Sequence, residues 1–201
     1  MALNFANNNS LSAITTQPSG LSSSAMTLLS TQTASSSSTI DFTSGIDSTY
    51  DEYVFKFYDI HPATDNTNLS FQGNAVGGSG YNETITSTYF RSQHDEGDTN
   101  ASLQYESSYD QAQGTSFQIL SQGVGNDNDQ SCSGYLHLFN PSSTTFVKHY
   151  ISRFHNAHNN NFAMSGFSAG YFNTTSAIDE IQFKMSSGNI DSGVIKLYGI
   201  S

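Results

Sequence analysis

Tryptophan is missing from this chain, cysteine occurs once, proline three times, and lysine and arginine together only six times in 201 residues. Each scarcity removes a class of protein. The lone Cys132 has no partner for an intramolecular disulfide framework and reads as a small packed residue. The six cations, Lys56, Arg91, Lys148, Arg153, Lys184 and Lys196, stand singly along the sequence, and the net charge is −11. Phosphate neutralisation needs clustered cations, so no nucleic-acid partner is expected. No window approaches the ~20 apolar residues of a membrane span, so no membrane insertion is expected. The N-terminus has no basic patch ahead of an apolar core, and therefore no secretory signal.

Charge of either sign is scarce as well, at 11% of residues against roughly 25% in an average soluble protein. Ser, Thr and Asn replace it, at roughly a third of the chain. A surface of hydroxyls and amides suits close contact with protein neighbours, because few charges must be desolvated.

Runs of β-branched and aromatic residues recur at 26–34, 38–42, 53–60, 69–72, 84–91, 116–122, 134–140, 145–155, 163–172, 178–185 and 194–200. Gly, Asn, Asp or Pro dominates between them. Alternation is explicit where Tyr53, Phe55 and Phe57 oppose Lys56, and where Ile181, Phe183 and Met185 oppose Gln182 and Lys184. The last stretch, IQFKMSSGNIDSGVIKLYGIS, reads as a β-hairpin closing the domain, with the C-terminus finished inside it. Residues 102–113 (SLQYESSYDQAQ) are the best candidate for a short helix, and 73–80 and 94–100 read as long exposed loops. The expected fold is all-β: a single two-sheet antiparallel sandwich over 25–201, jelly-roll or lectin-like. An extended arm, residues 1–24, precedes it. That arm reads either as a mobile terminus or as a docking segment whose Leu3, Phe5, Leu11 and Ile14 seat on a partner.

Candidate chemistry is thin. Gly166-Phe167-Ser168-Ala169-Gly170 matches the nucleophile elbow G-x-S-x-G, which needs a strand turning into a helix and a histidine downstream of the serine. Strand-like residues follow here, and no histidine lies beyond His158, so Ser168 reads as an ordinary strand or turn serine. His149, His155 and His158 lack the geometry of a zinc site and read as surface histidines. Two acidic loops, holding Asp95 with Asp98 and Asp127 with Asp129, are weak Ca²⁺ candidates without the Gly and distal Glu of an EF-hand. Apart from these, no metal or cofactor is expected. A glycosidase needs two carboxylates across a cleft; Glu52, Asp59, Asp179 and Glu180 lie in or beside strands with nothing to bring two together. No enzymatic activity is expected.

Four stretches carry a family resemblance: MALNFANNNSLSAITTQPSG, FTSGIDSTYDEYVFKFYDIHPATDN, LFNPSSTTFVKHYIS and FKMSSGNIDSGVIKLYGIS. They resemble small structural proteins of marine tailed bacteriophages, cyanophages among them, and run from both ends through the middle of the chain. The resemblance implies a β-sandwich exposed on the virion, as a capsid decoration, head fibre, or tail-fibre or baseplate subunit. It implies other virion proteins as partners and supplies no catalytic motif. Virion symmetry favours a homo-oligomer, with a trimer expected. The alternative is a lectin-like module that binds a host-surface glycan, with or without Ca²⁺.

Overall fold

Alternating apolar and polar residues make strands, and thirteen form among residues 25–200, which the computed structural model describes. They are β1 (Met26–Ser37), β2 (Ile40–Phe42), β3 (Glu52–Pro62), β4 (Thr67–Ala75), β5 (Ile85–Asp95), β6 (Ala101–Tyr105) and β7 (Ala112–Gly114). There follow β8 (Gln118–Val124), β9 (Cys132–Phe139), β10 (Lys148–His158), β11 (Phe162–Phe172), β12 (Ile178–Met185) and β13 (Ile190–Ile200). Among the described residues no helix forms. The expected helix at 102–113 is instead β6, a turn and β7. Residues 101–105 pair with His94 back to Phe90, which satisfies their backbone across strands.

The pairing is nested. β1 pairs with β13, β2 with β12, β3 with β9 and β4 with β8, every pair antiparallel. Successive pairs fall in alternate sheets, as in one long hairpin rolled on itself. Because β13 also pairs with β3 and β12 with β4, two four-stranded sheets result, β1-β13-β3-β9 and β2-β12-β4-β8. This is jelly-roll order. Two insertions widen the first sheet only. β10 and β11 enter between β9 and β12, β5 adds beyond β11, and β6 and β7 share the outer edge of β5. The two sheets meet in hydrogen bonding at one corner, where His158 pairs with Val124.

The expected closing hairpin is not one. β12 pairs with β2 and β4 in the small sheet, while β13 pairs with β1 and β3 in the large one. Residues 186–189 therefore carry the chain across the sandwich. Both runs alternate because each has an inner face: Ile181 and Phe183 from one sheet and Ile195 and Leu197 from the other are all buried in one core.

Aromatic rings fill that core. Phe183 of β12 lies edge-on to Phe55 and Phe57 of β3, with centroids 5.2 and 4.9 Å away, and to Phe42 of β2 at 6.1 Å. Phe71 joins it from β4, edge-on to Tyr150 at 4.9 Å and to Phe172 at 5.9 Å. Edge-to-face contacts of this kind add to the burial of each ring. Phe183 has no exposed surface and touches rings of both sheets. Phe183→Ala is therefore expected to cost about 3–5 kcal/mol, read as a lower urea midpoint with an unchanged slope.

Candidate binding face

A strand shows alternate residues on opposite sides, and directly paired residues share a side. Following the register across the wide sheet from Thr31 gives one row: Lys196, Lys56, Tyr135, Arg153, Phe167, Phe90 and Tyr105. The intervening residues Phe55, Leu136 and Phe154 are buried, so the row faces outward. One parallel row holds Leu28, Tyr198, Val54, His137, Ile151, Ala169 and Thr88. The other holds Ser133, His155, Ser165, Ser92 and Leu103. The first two rows contain no carboxylate, while the third meets β3 at a bulge where the exposed Asp59 accepts from Ser133.

Cations and rings are in contact along this face. Phe167 lies between the Arg153 guanidinium, 5.0 Å from its centroid, and Phe90, stacked at 4.8 Å with an interplanar angle of 7°. Lys196 sits over Tyr58 at 5.4 Å and Lys56 over Tyr198 at 5.6 Å. The other cations are engaged elsewhere. Arg91 pairs with Glu106, and Lys184 lies over Phe117. The buried Lys148 donates to the Phe146 and Thr174 carbonyls, and burial lowers its pKa. Two acids stand at the margins, each tied to a neighbour: Glu52 to His137 and Asp59 to Ser133. At the far end the Tyr105 hydroxyl donates to Asp110.

Exposed apolar surface concentrates here. Of nine large hydrophobic side chains exposed among the described residues, Leu28, Tyr58, Phe90, Leu103, Tyr105, Tyr135 and Ile151 are on this face, leaving only Val76 and Phe146 elsewhere. Patches of that kind mark interaction surfaces. No signal in the linear sequence joins these residues, because their alignment depends on register between strands far apart in the chain.

The residues singled out from sequence are distributed differently. Asp95 accepts from the Thr99 hydroxyl and from the backbone N–H groups of Asn100 and Thr99, which holds its carboxyl below the usual range and makes it a turn residue. Asp98 pairs with His94. Asp127 and Asp129 line a cleft of about 460 Å³ with Glu96, His155 and His158, so the first acidic loop meets the second through Glu96, while Asp95 and Asp98 are not in its lining. Among the described residues no three His, Cys, Asp or Glu side chains are grouped to hold a metal ion. Glu180 accepts from Asn74. His149 and His155 are exposed on the outer face of β10, and His158 ends the strand with its pKa lowered by burial. Leu3, Phe5, Leu11 and Ile14 lie outside the described residues.

The G-x-S-x-G stretch has a packing reason. Gly166, Ser168 and Gly170 face inward from β11; a Cβ at Gly166 would strike the Tyr89 hydroxyl, and one at Gly170 the Tyr150 hydroxyl. Small residues on β11 thus make room for two tyrosines of the neighbouring strands. Ser168 is buried in mid-strand, with no elbow.

No family model matches the chain, and neither the curated proteins nor the solved structures supply a match.

Tyr89 offers a test of this interior. It is fully buried, its hydroxyl makes no hydrogen bond within the described protein, and burial raises its pKa. Above about pH 10 the unfolded tyrosine ionises while the folded one resists, so stability falls as pH rises beyond that value. Tyr89→Phe is expected to stay within about 1 kcal/mol of the parent at neutral pH and to flatten the alkaline decline, measured as urea midpoint against pH.

Proposed function

We propose that the protein is a non-enzymatic structural module of a tailed-phage virion, exposed on the particle and anchored through residues 1–24. The observation that carries this reading is the nested jelly-roll pairing, an architecture used by viral capsid and lectin domains, in a chain whose segments resemble phage structural proteins. Fold alone does not fix function, but three further features agree with it. The surface is built from hydroxyls and amides, the interior is an aromatic core, and the large exposed feature is a broad flat face. Of the carboxylates in or beside strands that a glycosidase would need to bring together, Glu52, Asp59 and Glu180 are each bound to a different neighbour.

In this reading Leu3, Phe5, Leu11 and Ile14 supply the apolar contacts by which the N-terminal segment docks on another virion protein. Capsid and tail positions differ in copy number. A decoration protein is present in on the order of hundreds of copies, a tail or baseplate subunit in dozens at most, as symmetry of each site requires. Deleting residues 1–24 is expected to leave a folded sandwich by circular dichroism that no longer copurifies with virions. Undiminished incorporation, measured by quantitative mass spectrometry of purified particles, would overturn the anchor.

A further inference from the structure

We infer that the outer face of the wide sheet is the interface of a two-fold symmetric dimer of this chain, with the symmetry axis along β10 at Arg153. Three observations lead there. The first is area. Eight strands about 4.8 Å apart and three side-chain rows give a patch of roughly 34 by 20 Å, on the order of 700 Å². A standard interface takes about 800 Å² from each partner. The second is charge. The chain carries −11 overall, yet Lys56, Arg153 and Lys196 lie in the central row, and neither it nor the row through His137 holds a carboxylate. Two copies of an acidic protein repel least when they meet through the row that holds three of its six cations.

The third is the order of residues in the row. Cations occupy one end and rings the other, with Arg153 at the middle. Rotation by half a turn about β10 reverses the row on the partner. Lys56 then meets Phe90 of the second copy, Lys196 meets Tyr105, and Tyr135 meets Phe167. Every off-axis cation faces a ring, an arrangement that attracts and becomes stronger as water leaves. Each Arg153 leans over Phe167 of its own copy, and the two therefore lean apart. A two-fold axis along the row would instead set Lys56 on Lys56. Aromatic residues and arginine with few carboxylates are also the composition of protein interface centres. Residues 1–24 contain no acidic side chain and so offer these cations no complement.

Sedimentation equilibrium of the full chain tests the proposal. The expected mass at high concentration is twice 21.7 kDa. Phe90→Glu is expected to weaken the dimer by about tenfold or more without changing circular dichroism, and Val76→Glu, an exposed site off the face, to leave it intact. The double variant Lys56→Cys/Phe90→Cys is expected to give an oxidised covalent dimer, while Lys56→Cys alone gives none. A monomer at every concentration overturns the inference, whatever glycan or nucleic acid that monomer then binds. So does a dimer or higher oligomer indifferent to Phe90→Glu, which places the contact elsewhere, or cross-linking by Lys56→Cys alone, which requires the other axis.

Discussion

Contact between the two sheets through Phe183 is the constraint on which the remaining architecture rests. A jelly roll has few hydrogen bonds between its sheets; here the ladders join at a single corner, His158 with Val124. Cohesion across the sandwich must come from side chains. Phe183 reaches from β12 between Phe55 and Phe57 of β3, and Phe71 from β4 continues the same layer toward Tyr150 and Phe172. Rings of this size bury much apolar area per residue, and their edge-to-face geometry fixes how far apart the sheets stand. With no disulfide and one buried thiol pushed up to about 12 by burial, this aromatic layer is the staple of the fold.

The insertions follow from that arrangement. Strands β10, β11 and β5 lengthen one sheet well beyond its four-stranded partner, so part of their inner side faces the small sheet's edge strand β8. The interior there changes character: Ser87, Gln118, Ser152, Asn156 and Ser168 are buried beside Tyr89, Tyr150 and Phe154. Hydrogen bonds are added to the packing of rings. Ser87 donates to Gln118, and Asn156 donates to the Gln122 carbonyl. The small residues of β11 fit the same design, since the Tyr89 and Tyr150 side chains need the space that Gly166 and Gly170 leave.

Eleven of the thirteen strands were legible because each of them has a more buried side. The alternation in β3, β10 and β12 is a direct record of burial, and all eleven expected runs became strands. β6 was missed because it lies at an edge with Leu103 and Tyr105 exposed, so no buried face marked it. The supposed terminal hairpin shows a second limit. Alternation on both sides of a short turn is the same whether the two strands pair or face each other across a core. Nor could the outer row be read, since Lys196 and Tyr135 become near neighbours only through Lys56 of a third strand. Cations that look scattered along the chain are brought together by register.

The position of β1 has a mechanical meaning. It is the edge strand of the wide sheet, continuous with residues 1–24, and it is registered with β13 from Met26 opposite Ile200 to Ser37 opposite Ile190. A pull on the chain at Ala25 directed along β1 loads that whole ladder at once, in shear, because its bonds run perpendicular to the strand. A pull directed away from the sheet edge opens the same bonds one after another, like a zipper. The direction in which the N-terminus is tethered therefore decides how much force this domain withstands.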